Sequence, residues 1–180
     1  MRVWNWIKGL FGKSTVADTE QAYILPPVSG SPGISLGTVI CRPSESSMIL
    51  DAVALAHKVV FSQEFMDEVV KAEFTSTEGK SNLEIYQDYT SRQFVVNVRM
   101  FSPTLWQRMM GTVGYDSAHD DFVHANRYAV TTPERLAALI IHEFGHVLGY
   151  SHSSAREHTS VPYKMGEIAE KVIKQLKGKK

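Results

Sequence analysis

The sequence predicts an α+β domain built on one sheet. Three observations carry this. Apolar residues recur at helical spacing in 47–60 and again in 166–177. Residues 93–101 are rich in β-branched and aromatic side chains, with polar groups on one parity, as in a half-buried strand. The elements run helix, strands, helix, loop, helix, and not in strict strand–helix alternation.

A chain of 180 residues can bury one core without staples. Its 43% hydrophobic and 21% charged residues are ordinary for a globular protein, and a formal net charge of zero gives no whole-chain field to draw in nucleic acid. The lone Cys41 excludes an intrachain disulfide and the multi-cysteine zinc folds. No apolar run approaches the ~18 residues of a membrane span. The lysines at 171, 174, 177, 179 and 180 read as a solvated helix end.

The first residues carry Trp4, Trp6, Ile7, Leu10 and Phe11, interrupted by Asn5, Lys8 and Gly9. The interruptions argue against a secretory signal, and the aromatics suit a short docking helix or an arm packed on its own domain. Localisation stays open between cytoplasm, unconventional export and a phage particle. The run from Gly9 to Ser14 has two residues between its glycines where a phosphate-binding loop needs four, so it is not one. Residues 24–38 are rich in Pro, Gly and Ser and read as a linker, giving an arm over 1–37 and a domain over 38–180.

Helices are expected over 47–60, where Ile49, Val53, Ala56 and Val60 share a face, and over 63–73, capped by Ser62. Residues 78–82 read as a loop, 83–87 and 93–101 as strands, and 122–126 as a short strand. Thr132 as N-cap, Pro133 in first position and Glu134 in the first turn open the next helix, which runs to about Tyr150 with Gly149 as its stop. Its apolar residues Leu136, Ala137, Ile140, Ile141, Phe144, Val147 and Leu148 are available for burial. A last helix fits 166–177, with Ile168, Val172, Ile173 and Leu176 on one face.

The chemistry is concentrated in His142-Glu143-x-x-His146-x-x-Gly149-x-x-His152. Histidines four apart on a helix share a face and can reach one ion, with Glu143 beside them to act on water. A catalytic tetrahedral zinc takes three protein ligands and keeps one position open. Gly149 can adopt positive φ, leaving the helix sharply so that His152 returns as the third ligand. By average residue usage this pattern arises by chance on the order of once in 10⁴–10⁵ chains of this size.

The same string resembles the metzincin family of zinc peptidases. Val113-Gly114-Tyr115, Phe122 to Asn126 and Ser153 are similar to matrixin-like members. The resemblance covers about residues 113–166. It implies a zincin-type catalytic domain with one mixed twisted sheet, an active-site helix, a Met-turn at Met165 and a C-terminal helix. It also implies a zinc-dependent endopeptidase with one catalytic Zn2+, Glu143 as general base and a peptide or protein substrate. That substrate would lie along an edge strand, placed at 122–126, with 159–164 walling the pocket. The chain lacks the calcium and structural-zinc loop of vertebrate matrixins, a tyrosine two residues after Met165 and the extra cysteines of archaemetzincins, which leaves the subfamily open.

Several other assignments compete. His158 could replace His152, and Glu167 or Glu170 could complete a thermolysin-like site, but neither fits the Gly149 spacing. His57, His119 and His124 read as structural or surface residues, Asp120 and Asp121 as a solvated turn, and Cys41 as a small hydrophobe rather than a zinc-blocking thiolate. A different class of function is a binding or assembly module with a structural zinc, docked through the N-terminal arm.

Overall fold

A computed structural model describes residues 19–24, 32–104, 114–116, 121–152 and 158–178. Five strands form one mixed sheet: β1 (Gln21–Ile24), β2 (Gly33–Cys41), β3 (Gln93–Phe101), β4 (Gly114–Asp116) and β5 (Phe122–Asn126). Their order is β1-β2-β3-β5-β4. The three inner strands are parallel, and an antiparallel strand closes each side. In β3, Phe94, Val96, Val98 and Met100 are buried while Gln93, Val95 and Arg99 are exposed. The period-two pattern therefore has its expected result: helices cover one face of this strand and the other is open.

The helices are α1 (Ser46–Val60), α2 (Gln63–Lys71), α3 (Asn82–Ser91), α4 (Pro133–Val147) and α5 (Val161–Gly178). Ile49, Val53, Ala56 and Val60 of α1 are all buried, as their spacing predicts. The Ser62 hydroxyl accepts from the Phe65 amide and caps α2. α4 packs against both α1 and α5, so the motif-bearing helix lies in the middle of the helical layer. Its apolar face is Leu136, Ala137, Ile140, Ile141 and Phe144, all buried, whereas Val147 points outward and is 58% exposed. No helix among the described residues is long and apolar enough to cross a membrane.

Three expectations are corrected. Residues 83–87, expected as a strand, lie in helix α3. The Ser81 hydroxyl accepts from the Glu84 amide and the Glu84 carboxylate accepts from the Ser81 amide at 2.8 Å, a capping box that fixes a helix start. The apolar residues in 83–89 follow helical spacing too, and Ile85 and Tyr89 are its buried pair. The last helix begins at Val161, five residues before the expected start, and so takes in Met165. The division at residue 38 cuts through β2. Gln21–Ile24 pairs with Thr38–Cys41, and Gly33–Leu36 pairs with β3, so part of the expected linker belongs to the sheet. The aromatic run at 4–11 lies outside the described residues.

β1 is also fastened through side chains. Arg127, just after β5, donates to the Glu20 carboxylate at 2.7 Å, the Met100 carbonyl at 2.7 Å and the Ser102 hydroxyl at 3.1 Å. Its Nε lies 3.1 Å from Glu45, an ion pair without hydrogen-bond alignment.

Candidate metal centre

Three contacts fix the roll of α4. Phe144 stacks on Phe94 of β3 at 4.6 Å between ring centres and meets Tyr89 of α3 edge-on at 5.0 Å. One residue on, Gly145 leaves room for the start of α5. A Cβ there would lie 2.5 Å from the Tyr89 hydroxyl and 3.2 Å from Pro162 Cα. A variable position of the motif is therefore constrained here by close packing of two helices.

The C-terminus of α4 is a Schellman motif. Gly149 has φ +94°, its amide donates to the His146 carbonyl at 2.9 Å, and the Tyr150 amide donates to the Gly145 carbonyl at 3.0 Å. This turn brings the chain back so that His152 joins the helix histidines. The ligand nitrogens of His142, His146 and His152 all lie within 4.8 Å of one another. The ring centres are 5.1, 5.7 and 4.9 Å apart for the pairs His142–His146, His142–His152 and His146–His152.

These three histidines could hold a metal ion. Their donor set is all imidazole, which suits zinc, copper, iron or nickel. Nitrogens on a tetrahedral zinc stand roughly 3.3 Å apart, so the rings would draw together by at most about 1.5 Å. Their protonation also fits. Burial, then the neighbouring His146 and His152, push the pKa of His142 down to about 4, against a smaller upward effect from its hydrogen bond to the Pro162 backbone. His142 is thus neutral at pH 7, the form that binds metal. His146 Nδ1 lies 3.0 Å from the Tyr150 carbonyl. A carbonyl can only accept, so this contact places the proton on Nδ1 and leaves the Nε2 lone pair for a ligand.

Glu143 is buried between His142 and Phe144 in the chain. It lies close enough to Tyr89 and Tyr163 to act on both. Burial raises the pKa of Tyr163 and the Glu143 charge adds to that rise. Burial raises Tyr89 more strongly, followed by Tyr150, Glu143 and Asp88.

Tyr163 falls within the 159–164 segment expected to wall the pocket, but no individual role was expected of it, since a tyrosine was sought only after Met165. Its ring lies 4.6 Å from that of His152 and 4.7 Å from that of His142. Nothing in the local sequence marks it apart from its place beside Pro162 in the first turn of α5. Met165 is fully buried on the second turn of that helix, within helical backbone and not in a turn before it.

The competing assignments fall away on position. Among the described residues, His158, Glu167 and Glu170 do not belong to the histidine group. Glu167 pairs instead with Lys164 at 2.9 Å on the surface. Cys41 is buried at the end of β2 and is no part of the group. His57 accepts from the Ile34 amide at 3.3 Å and packs on Phe61, and His124 is buried in β5, so both have structural settings. His119 and Asp120 lie outside the described residues. The expected substrate edge is corrected as well: 122–126 pairs with β3 on one side and β4 on the other, which makes β4 the outer strand among the described residues.

No family model, curated protein or solved structure matches this chain.

Proposed function

We propose that this chain is a zinc-dependent endopeptidase of metzincin type, with His142, His146 and His152 as ligands and Glu143 as general base. The observation that carries the proposal is the three-histidine group with a buried carboxylate on the helix that bears two of them. Three protein ligands leave a position for water or substrate, where a purely structural zinc site is normally closed by four. The mixed sheet with an antiparallel outer strand next to this helix supports the assignment, since such a strand can take up an extended peptide by backbone pairing.

A bound zinc ion supplies a Lewis acid that polarises the scissile carbonyl and lowers the pKa of water. The chain's own residues do the rest. Glu143 takes a proton from the attacking water and returns it to the leaving amine. His142 and His146 keep their ligand nitrogens aimed through the Pro162 and Tyr150 carbonyls, so no reorganisation is needed during turnover. The buried floor of Phe144, Tyr89 and Phe94 keeps α4 from rolling.

Mass-spectrometric profiling of a diverse peptide mixture tests this, using zinc-loaded wild type beside Glu143→Ala. Cuts made by wild type and lost by at least ~10²-fold in the variant, with zinc retained, are expected. A folded, zinc-loaded wild type that cuts nothing, or a variant that cuts equally well, would contradict it.

A further inference from the structure

We infer that helix α3 and the loop before it reach into the metal centre through a hydrogen-bonded relay, Lys80–Asp88–Tyr150, which positions His146. Asp88, Tyr150 and Lys80 are therefore positioning residues. The inference rests on the proposal that His146 binds a metal, though its first consequence can be read without one.

The relay is continuous. Lys80 Nζ donates to Asp88 Oδ2 at 2.5 Å and lies 5.2 Å from the centre of the Tyr150 ring. The Tyr150 hydroxyl donates to the same carboxylate oxygen at 2.6 Å. Tyr150 is almost wholly buried, so its ring has one place to be. Its amide is tied to the Gly145 carbonyl, and its own carbonyl faces His146 Nδ1 at 3.0 Å. Both backbone groups of Tyr150 are thus engaged with the last turn of α4, while its side chain is anchored more than sixty residues earlier in the chain.

The charge arrangement is consistent with an anchor. Burial alone would raise the Asp88 carboxyl, but the hydrogen bonds from Lys80 and Tyr150, with the Lys80 and Arg92 charges, more than offset it and leave it below its ordinary value. An ionised carboxylate accepts more strongly than a neutral one, so the tyrosine hydroxyl is held by a charge-assisted bond. Shifting Tyr150 would move the carbonyl that fixes the His146 tautomer and ring plane. Groups that orient a ligand histidine in this way typically tune metal affinity by about 10–100-fold.

Two variants test the relay. Tyr150→Phe removes the hydroxyl and keeps the backbone, and Asp88→Asn removes the charge. The comparison protein is Val59→Ala, a core truncation that lowers stability in α1, a helix that contributes no residue to the relay. Imidazole nitrogen NMR on metal-free protein at pH 8 should show His146 as the Nδ1-protonated tautomer in wild type and Val59→Ala, and a mixture in the relay variants. Chelator competition should show zinc affinity about 10–100-fold weaker in Tyr150→Phe and Asp88→Asn, with an altered cobalt visible spectrum, and wild-type values in Val59→Ala. If Tyr150→Phe fails to fold, Asp88→Asn carries the test alone. Wild-type tautomer, affinity and spectrum in folded relay variants would overturn the inference, as would equal loss in Val59→Ala. A wild type that binds neither zinc nor cobalt would overturn the metal assignment itself. Tight zinc binding without peptide cleavage would remove only the peptidase.

Discussion

Two corners of this molecule gather polar side chains, and they do so in opposite ways. At Arg127 a guanidinium is met by two carboxylates, a carbonyl and a hydroxyl, so cation and anions are both supplied by the chain. At the end of α4 three imidazoles converge, one of them held neutral by burial. The first corner meets its one cation with two carboxylates of the same chain. The second gathers electron-pair donors around a shared centre, an arrangement that a cation from solution would complete. A polar cluster is thus a fastening when a cation and its anions meet within it, and a candidate metal site when only electron-pair donors meet.

The contrast can be broken at several points. The largest expected effect is at the Arg127 corner. Arg127→Met leaves Glu20 and Glu45 without their cation and should cost about 3–5 kcal/mol of stability, toward the lower figure because the Glu20 side chain is 43% exposed. Denaturant midpoints measure this, and zinc affinity of the folded variant should not change. Loss of zinc affinity there would erase the distinction between the two corners.

The next effect belongs to acid. The pKa of His142 is about 4 in the fold against 6.5 ordinarily, so between those values the unfolded chain binds a proton that the folded chain does not. The stability of metal-free protein should therefore fall as pH drops from about 6.5 to 4, by no more than about 3 kcal/mol, and this contribution should level off below pH 4. Urea unfolding at pH 7 and pH 4 with chelator present reads the slope. A His142→Gln variant should show a shallower one, and an unchanged slope would count against a buried neutral histidine.

Smaller effects separate packing from turning within the second corner. Gly145→Ala forces a methyl against Tyr89 and Pro162 and should cost about 1–3 kcal/mol. Gly149→Ala meets no neighbour within 4 Å but must hold φ near +94°, costing about 1–2 kcal/mol. It should also weaken zinc binding, because the turn that returns His152 is strained. Equal zinc affinity in Gly149→Ala and wild type would show that the turn does not set the third ligand.

Legibility in the sequence followed the range of the forces involved. The cap at Thr132, the cap at Ser62 and the buried stripe of α1 are local, and each was readable from a few adjacent residues. The histidine group was readable because a helix and one glycine turn bring its members together within eleven residues. The strand expected over 83–87 failed because the apolar run there is too short to tell a strand from a helix, and Ser81, which with Glu84 forms the box that begins a helix, falls in the stretch that reads as a loop. The edge strand was misplaced because strand order depends on pairing between distant segments, which no local pattern reports. Tyr163 and the Asp88–Tyr150 bond depend on tertiary approach, and no spacing rule finds them.

The most direct test of the open corner is a zinc titration of metal-free protein followed by thermal unfolding, with His152→Ala alongside. Wild type should bind one zinc per chain and gain melting temperature as free zinc rises past saturation, since only the folded chain assembles the site. His152→Ala should bind more than ~100-fold more weakly, beyond what loss of an orienting group costs. A wild type whose melting temperature ignores zinc, or a His152→Ala protein that binds it as tightly, would contradict the account.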